Sequence, residues 1–200
     1  MIQPFAERTH EKMKDVLMHP DASGPTIHYY MIRGGSDKKN ITVWEPGTVG
    51  GEYIKAYGHY HVGDLDETYW ILSGKGILLL QICRKNSQGQ DIKDEIEKTV
   101  AVTLSAGESA YIPSGVGHLM VNTGDTWLVA RDDSPVNFND VDPVSLPGHA
   151  DYESVHHMKG FAYYVVEEEG RPTFVKNPTY KYVPPIVLMS ADEYKQKGLV

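Results

Sequence analysis

Four side chains in this sequence have the types and the spacing to share one cation. His59 and His61 stand two apart in Gly58-His59-Tyr60-His61. On an extended strand, residues two apart project to the same side, so both imidazoles face one way. Glu67 follows after Val62-Gly63-Asp64-Leu65-Asp66, where Gly63-Asp64 can turn the chain and return the carboxylate beside the imidazoles. The third imidazole comes from Gly107-Glu-Ser-Ala-Tyr-Ile-Pro113-Ser-Gly115-Val-Gly117-His118, in which Pro113-Ser114-Gly115 makes a turn and His118 opens the next strand. Three neutral imidazoles and one carboxylate leave room for water or substrate, and they suit Fe2+, Mn2+, Ni2+, Co2+ or Zn2+. A His-x-His pair alone is commonplace on strands; the second block in this order makes it a ligand set.

The elements that must position these groups are short. Runs rich in β-branched and aromatic residues lie at 26–32, 41–44, 69–72, 77–83, 99–104, 109–112, 118–122, 127–131 and 161–166. Glycines and prolines punctuate them, the pattern of an all-β sandwich or barrel. Polar residues 84–98 fall between two strand runs and read as a long hairpin with a solvated tip. Helical signals sit outside the strand-rich middle. Residues 7–18 put Met13, Val16 and Leu17 on one side, residues 151–160 can hold one or two turns, and Ser190-Ala191-Asp192-Glu193 has the capping-box form. No linker divides the 200 residues, so one domain is expected, with a barrel core over 26–180 and an extension at each end.

Composition excludes several classes. With 27 acidic and 19 basic side chains the formal charge is −8, which argues against a general nucleic-acid or membrane-surface binder. No apolar run approaches the roughly 20 residues of a membrane helix, and residues 1–19 do not resemble a signal peptide; a cytoplasmic protein is expected. The one cysteine, Cys83, has no disulfide partner in the chain and reads as a buried apolar residue, with a catalytic thiol as the lesser alternative. No phosphate-binding Gly-x-x-x-x-Gly-Lys-Ser/Thr loop is present. His10, His19 and His28 carry no site signal, and His156 and His157 read as surface residues.

The two histidine blocks resemble the cupin superfamily. The second has its diagnostic Gly107, Pro113, Gly115, His118 and Asn122; in the first, Glu67 follows His61 after a longer gap than usual, although the Glu67–Gly74 interval is kept. That resemblance implies a double-stranded, jelly-roll-like β-barrel with short flanking helices. More narrowly, the chain resembles the cupin-type glucose-6-phosphate isomerases known mainly from archaea. The likeness is carried by Thr42 to Tyr53, Gly58 to His61, Glu67-Thr68-Tyr69, Gly74-Lys75-Gly76, Pro147 to Tyr152, Lys159-Gly160-Phe161 and Phe174 to Pro178. The Glu67 spacing is one residue shorter than that family's form, and His149 stands one residue further from Tyr152.

The resemblance implies that His59, His61, Glu67 and His118 hold one divalent metal, Fe2+ in the first instance. It also implies that Thr42, Gly58, Tyr69, His149 and Tyr152 line a sugar-phosphate pocket. The reaction implied is the interconversion of glucose 6-phosphate and fructose 6-phosphate, by an aldose–ketose isomerase working as a homodimer. Glu67 is then the base that moves a proton between C1 and C2, or a ligand only, if the hydrogen shifts directly. Tyr69 is a hydrogen-bond donor to a sugar oxygen, and His149 a ring-opening proton carrier or phosphate contact. The alternatives are another metal-dependent cupin enzyme, such as an Fe(II) dioxygenase, and a non-enzymatic sugar-binding cupin.

Overall fold

The computed structural model describes residues 6–32, 40–134 and 150–199. The strands are β1 Ala6–Thr9, β2 Ile27–Ile32, β3 Asn40–Trp44, β4 Thr48–Val49, β5 Glu52–Tyr53 and β6 Tyr60–His61, followed by β7 Glu67–Ser73, β8 Lys75–Lys85, β9 Asp91–Ser105, β10 Ser109–Ile112 and β11 Gly117–Asn122. They continue with β12 Leu128–Asp132, β13 Ala150–Asp151, β14 Tyr163–Glu168, β15 Arg171–Lys176 and β16 Val187–Ser190. Three short helices flank them: α1 His10–Met13, α2 Glu153–His157 and α3 Ala191–Lys197.

One sheet runs β1-β2-β3-β12-β7-β10 and a second β11-β8-β9-β16; smaller sheets β15-β14-β5-β4 and β13-β6 add to them. Strand β11 is buried along its whole length, and so is most of β8. Both faces of a covered sheet must be apolar, which is why Ile77-Leu78-Leu79-Leu80 is a continuous hydrophobic run and not an alternation. Across β1, β2, β3, β12 and β7 the inward face carries Arg8, Tyr29, Met31, Trp44, Thr42 and Tyr69, all buried. The buried apolar residues of both sheets and the three flanking helical segments form one cluster. The all-β barrel expected from the sequence is present.

The long hairpin is also as expected: β8 and β9 pair along it with register shifts on either side of Cys83, and Asn86 to Gln90 make the exposed tip. Cys83 is a buried thiol, 3.3 Å from the Tyr60 hydroxyl, and burial pushes it up. The capping box is formed, with Ser190 Oγ accepting from the Glu193 N–H and Gly198 closing α3. The helix expected over 7–18 is corrected. Residues 6–9 are a strand paired with β2, the α-helical turn begins only after Thr9, and residues 14–16 form a 3-10 turn. The apolar spacing of Met13 and Val16 belonged to the helical part alone, and Leu17 already has extended backbone; Thr9, whose Oγ1 accepts the Lys12 N–H, marks the start.

Lys55 and Glu52 form a fully buried ion pair that ties this N-terminal turn to the barrel. Lys55 Nζ also donates to the Val16 carbonyl at 2.7 Å, and a Glu52 carboxylate oxygen accepts the Met18 N–H at 2.8 Å. Removing one member leaves the other charged and without its partner in a place water does not reach. Lys55→Met is therefore expected to cost about 3–5 kcal/mol, and the Lys55→Met, Glu52→Gln double variant to recover part of it. Urea unfolding of the three chains checks both; equal stability of single and parent chains would remove the pair from the fold's support.

Candidate metal centre

The four side chains come from three places in the barrel. Glu67 opens β7, where it pairs with Ile112, and Tyr69 projects to the same side two residues on. His118 lies on β11 in the facing sheet. His59 is joined to it by a reciprocal backbone pair, His59 N–H to His118 O at 3.2 Å and His118 N–H to His59 O at 3.0 Å. His61 is the end of β6 and pairs with Ala150. Alternation sends Tyr60 the opposite way, into a network with Cys83 and Gln81. Gly117 makes that possible, since a Cβ there would sit 2.5 Å from Tyr60 Cζ. Gly58 takes φ +86° to bring the chain into this segment, a conformation that favours glycine.

One ligand atom from each of His59, His61, Glu67 and His118 lies within 4.8 Å of the other three. Glu67 Oε2 is 2.9 Å from His61 Nε2 and 3.3 Å from His118 Nε2. The backs of two rings are tied to carbonyls: His61 Nδ1 to Leu65 O at 3.1 Å, and His118 Nδ1 to Val116 O at 3.2 Å. A carbonyl only accepts, so Nδ1 carries the proton, and in a neutral ring Nε2 presents its lone pair to the carboxylate. Lone pair against lone pair at these distances is repulsive unless something positive lies between them. A cation satisfies every group at once, and a backbone-anchored Nδ1–H is the usual support for an imidazole ligand. The donor set therefore fits a divalent metal.

Without a cation, a proton on the His61 ring takes the same place between nitrogen and carboxylate. Burial alone would raise the Glu67 carboxyl, but its contacts with His118 and His61 outweigh that and hold it well below the usual carboxylate range. For His61, burial works downward, and the hydrogen bond and charge of Glu67, the Leu65 carbonyl and the charge of Asp132 together more than reverse it. A second group, Glu153 with His156 and His157, is exposed and belongs to a surface helix, as expected for those histidines.

The other expected site residues are distributed around this cluster. The Tyr69 ring stands edge-on to His118 at 6.1 Å, and the Tyr152 ring lies 5.3 Å from His59. Thr42 is on β3 facing the barrel interior; its row runs through Ala130 to Ile71, one step along β7 from Tyr69. Gly58 precedes the first ligand. His149 lies outside the described residues, as do Pro147 and Gly148.

Two inward-facing residues were not singled out from the sequence. Asp132 pairs in register with Tyr69 and accepts hydrogen bonds from Asn40 and Ser134, and its charge helps to raise His61. Arg8 is fully buried beside Tyr29, Tyr57 and Tyr152. A charged residue at an inward position of a strand was the available signal, and it was hidden by reading 7–18 as a helix.

A family model described as glucose-6-phosphate isomerase matches residues 29–183, the segment that carries all four ligands. The chain belongs to the glucose-6-phosphate isomerase family. The glucose-6-phosphate isomerase of Thermococcus onnurineus is 36% identical over 141 residues, 70% of this chain and 62% of that protein. That of Thermococcus litoralis is 35% identical over the same shares. The matched region thus spans less than two thirds of these relatives. A solved structure titled as a predicted oxalate decarboxylase from Thermotoga maritima aligns at TM-score 0.39 and 20% identity, over 66% of this chain and 90% of that one. Within the glucose-6-phosphate isomerase match lie Thr42, Gly58, Tyr69 and Tyr152; Arg8 lies outside it.

Proposed function

We propose that this chain, as one cupin domain, is a metal-dependent aldose–ketose isomerase that interconverts glucose 6-phosphate and fructose 6-phosphate. The observation that carries the reading is the cluster of half-buried His59 with buried His61, Glu67 and His118 inside the family match. The metal would be Fe2+, with Mn2+, Ni2+, Co2+ or Zn2+ as alternatives from the same donor chemistry. Family membership further supports a cytoplasmic homodimer; no helix of the described residues is long and apolar enough to cross a membrane.

When bound, the cation supplies a Lewis acid for the oxygens on C1 and C2 of the open-chain sugar. The remaining work falls to side chains. Tyr69, on the Glu67 face of β7, donates to a sugar hydroxyl and orients the reacting carbons. Glu67 takes the proton from one carbon and returns it to its neighbour, or, if the hydrogen shifts directly, serves as a ligand only. His149 keeps the ring-opening role that its motif implies. Thr42, the Gly58 backbone and Tyr152 hold the phosphate end. Closing these groups inside the barrel keeps water from the reacting carbons.

A coupled assay on fructose 6-phosphate with added Fe2+ or Mn2+ tests the reading, with oxygen uptake followed on the same sample. Glucose 6-phosphate formation without oxygen consumption is expected; oxygen consumption without isomerisation would instead favour a dioxygenase. Thr42→Ala and Tyr152→Phe are expected to raise KM for the sugar phosphate while metal content stays near one per chain, because they remove binding common to ground and transition states. Loss of metal in either variant, or unchanged kinetics in both, would redraw the pocket.

A further inference from the structure

The pocket implied by the motifs has a gap in its chemistry. Its members among the described residues, Thr42, Gly58, Tyr69 and Tyr152, offer hydroxyls and amides but no permanent positive charge, and His149 is a neutral imidazole in its ordinary form, yet a phosphate monoester enters as a dianion. Burying such a group without a counter-charge is prohibitive. Lys55 cannot supply it, because it is committed to Glu52.

Arg8 can. Its side chain is wholly buried, and among the described residues no carboxylate pairs with it. Nε donates to the Tyr29 hydroxyl at 3.1 Å, while both terminal nitrogens, Nη1 and Nη2, are buried with no hydrogen-bond partner. The Tyr57 hydroxyl is buried and unpartnered too, and the Tyr57 ring lies 5.2 Å from the guanidinium carbon. The faces of Tyr29 and Tyr152, each at 5.8 Å, offset part of the charge but accept no hydrogen bond in the guanidinium plane. What is left over is a planar fork of N–H donors and a phenol that can donate beside it, with no anionic acceptor among them. A group with several anionic oxygens is the complement, and a guanidinium meets a phosphate with two parallel bonds.

The placement agrees. Arg8 pairs with Tyr29 and Tyr29 with Trp44; one step along the same inward face, Met31 pairs with Thr42. Arg8 and Thr42 therefore face the same interior. The Tyr152 ring is a neighbour of both the guanidinium and His59, at 5.8 Å and 5.3 Å.

We propose that Arg8, from the strand outside the family match, is the charged anchor for the phosphoryl group of the substrate, with Tyr57 as a second donor. This rests on the sugar-phosphate reading above.

The test compares thermal unfolding and kinetics of the parent, Arg8→Gln and Arg8→Lys in low-salt buffer. The probes are fructose 6-phosphate, inorganic phosphate, fructose and gluconate, each at low millimolar concentration. The parent is expected to gain Tm saturably with the two phosphates and not with fructose or gluconate. Arg8→Gln is expected to keep or raise the ligand-free Tm, since a buried charge without an acidic partner is removed, and to lose the phosphate response. Its KM for fructose 6-phosphate should rise about 30-fold or more, with a smaller change in kcat. Arg8→Lys keeps the charge and loses the fork, so its response should be weaker than the parent's but present.

An unaltered phosphate response in either variant overturns the assignment, as does a parent indifferent to both phosphates. So does an Arg8→Gln chain that cannot fold, which would make the guanidinium a structural prop. The two readings fail separately. A parent that gains Tm with phosphate through Arg8 but makes no glucose 6-phosphate leaves the anion site standing and removes the isomerase. A parent that isomerises with a KM indifferent to Arg8 does the reverse.

Discussion

A chain carrying His59→Ala and His61→Ala together is expected to retain the barrel and to bind no divalent metal. The two imidazoles are half of a four-ligand set whose donor atoms lie within 4.8 Å of one another. Without them only His118 and Glu67 remain, too few to outcompete water and buffer for a first-row cation. The backbone that carries the removed rings is held independently, by the His59–His118 bond pair and by the β6–β13 bridge, so the strands have no reason to part. Metal analysis of the purified double variant should fall from near one per chain to background, and isomerisation with it, while circular dichroism is unchanged. His156→Ala with His157→Ala is the control: those rings are exposed on α2, and metal and activity should stay. A full metal complement in the first pair of substitutions would dissolve the proposed centre.

Glu67→Gln is expected to lower turnover by roughly 10²–10⁴-fold, the usual contribution of a positioned acid–base group. The amide keeps the shape and one oxygen donor, so three imidazoles and that oxygen should still retain metal in part. What disappears is the negative charge and the site that accepts a proton. There is a physical reason to doubt a large base strength: one carboxylate oxygen already faces two imidazole nitrogens, at 2.9 Å and 3.3 Å, and an oxygen so engaged is a poorer proton acceptor. The variant must therefore be measured metal-saturated, with metal content checked on the same sample, beside a parent reaction run in deuterated water. A large rate loss together with solvent deuterium at C1 or C2 assigns proton transfer to Glu67. Near-parent turnover of the loaded variant leaves Glu67 as a ligand only, and the hydrogen then passes between the carbons directly.

The clustering of His59, His61, Glu67 and His118 was readable in the sequence because its determinants are local. The His-x-His alternation, the turn before Glu67 and the Pro-x-Gly turn before His118 each operate within a few residues, and the barrel closure then brings the pieces together. The same holds for the β8–β9 hairpin, framed by two apolar runs, and for the Ser190 capping box. Arg8 was not readable for the opposite reason. Its meaning depends on β1 pairing with β2, on Tyr57 from a loop and on Tyr152 at a helix start, contacts far apart in the chain. The parallel pairing of β16 with β9 was hidden likewise, since Val187–Ser190 is too short to declare its partner. Asp132 sits at a strand end among other acidic residues, where a surface position was the natural expectation.

The route by which the ligands meet has a consequence for how the chain folds and stays folded. His59, Glu67 and His118 belong to segments joined only through non-local pairings, and such pairings close late because the loop entropy must be lost before any contact forms. A cation held by all of them acts as a cross-link over that long loop, in a chain whose one cysteine can form no internal disulfide. Such a cation would bind the completed barrel in preference to the partly folded chain, and so would lower the population of open states by mass action. Cells that starve the chain of metal would thus lose it first to proteolysis, before any question of catalysis arises.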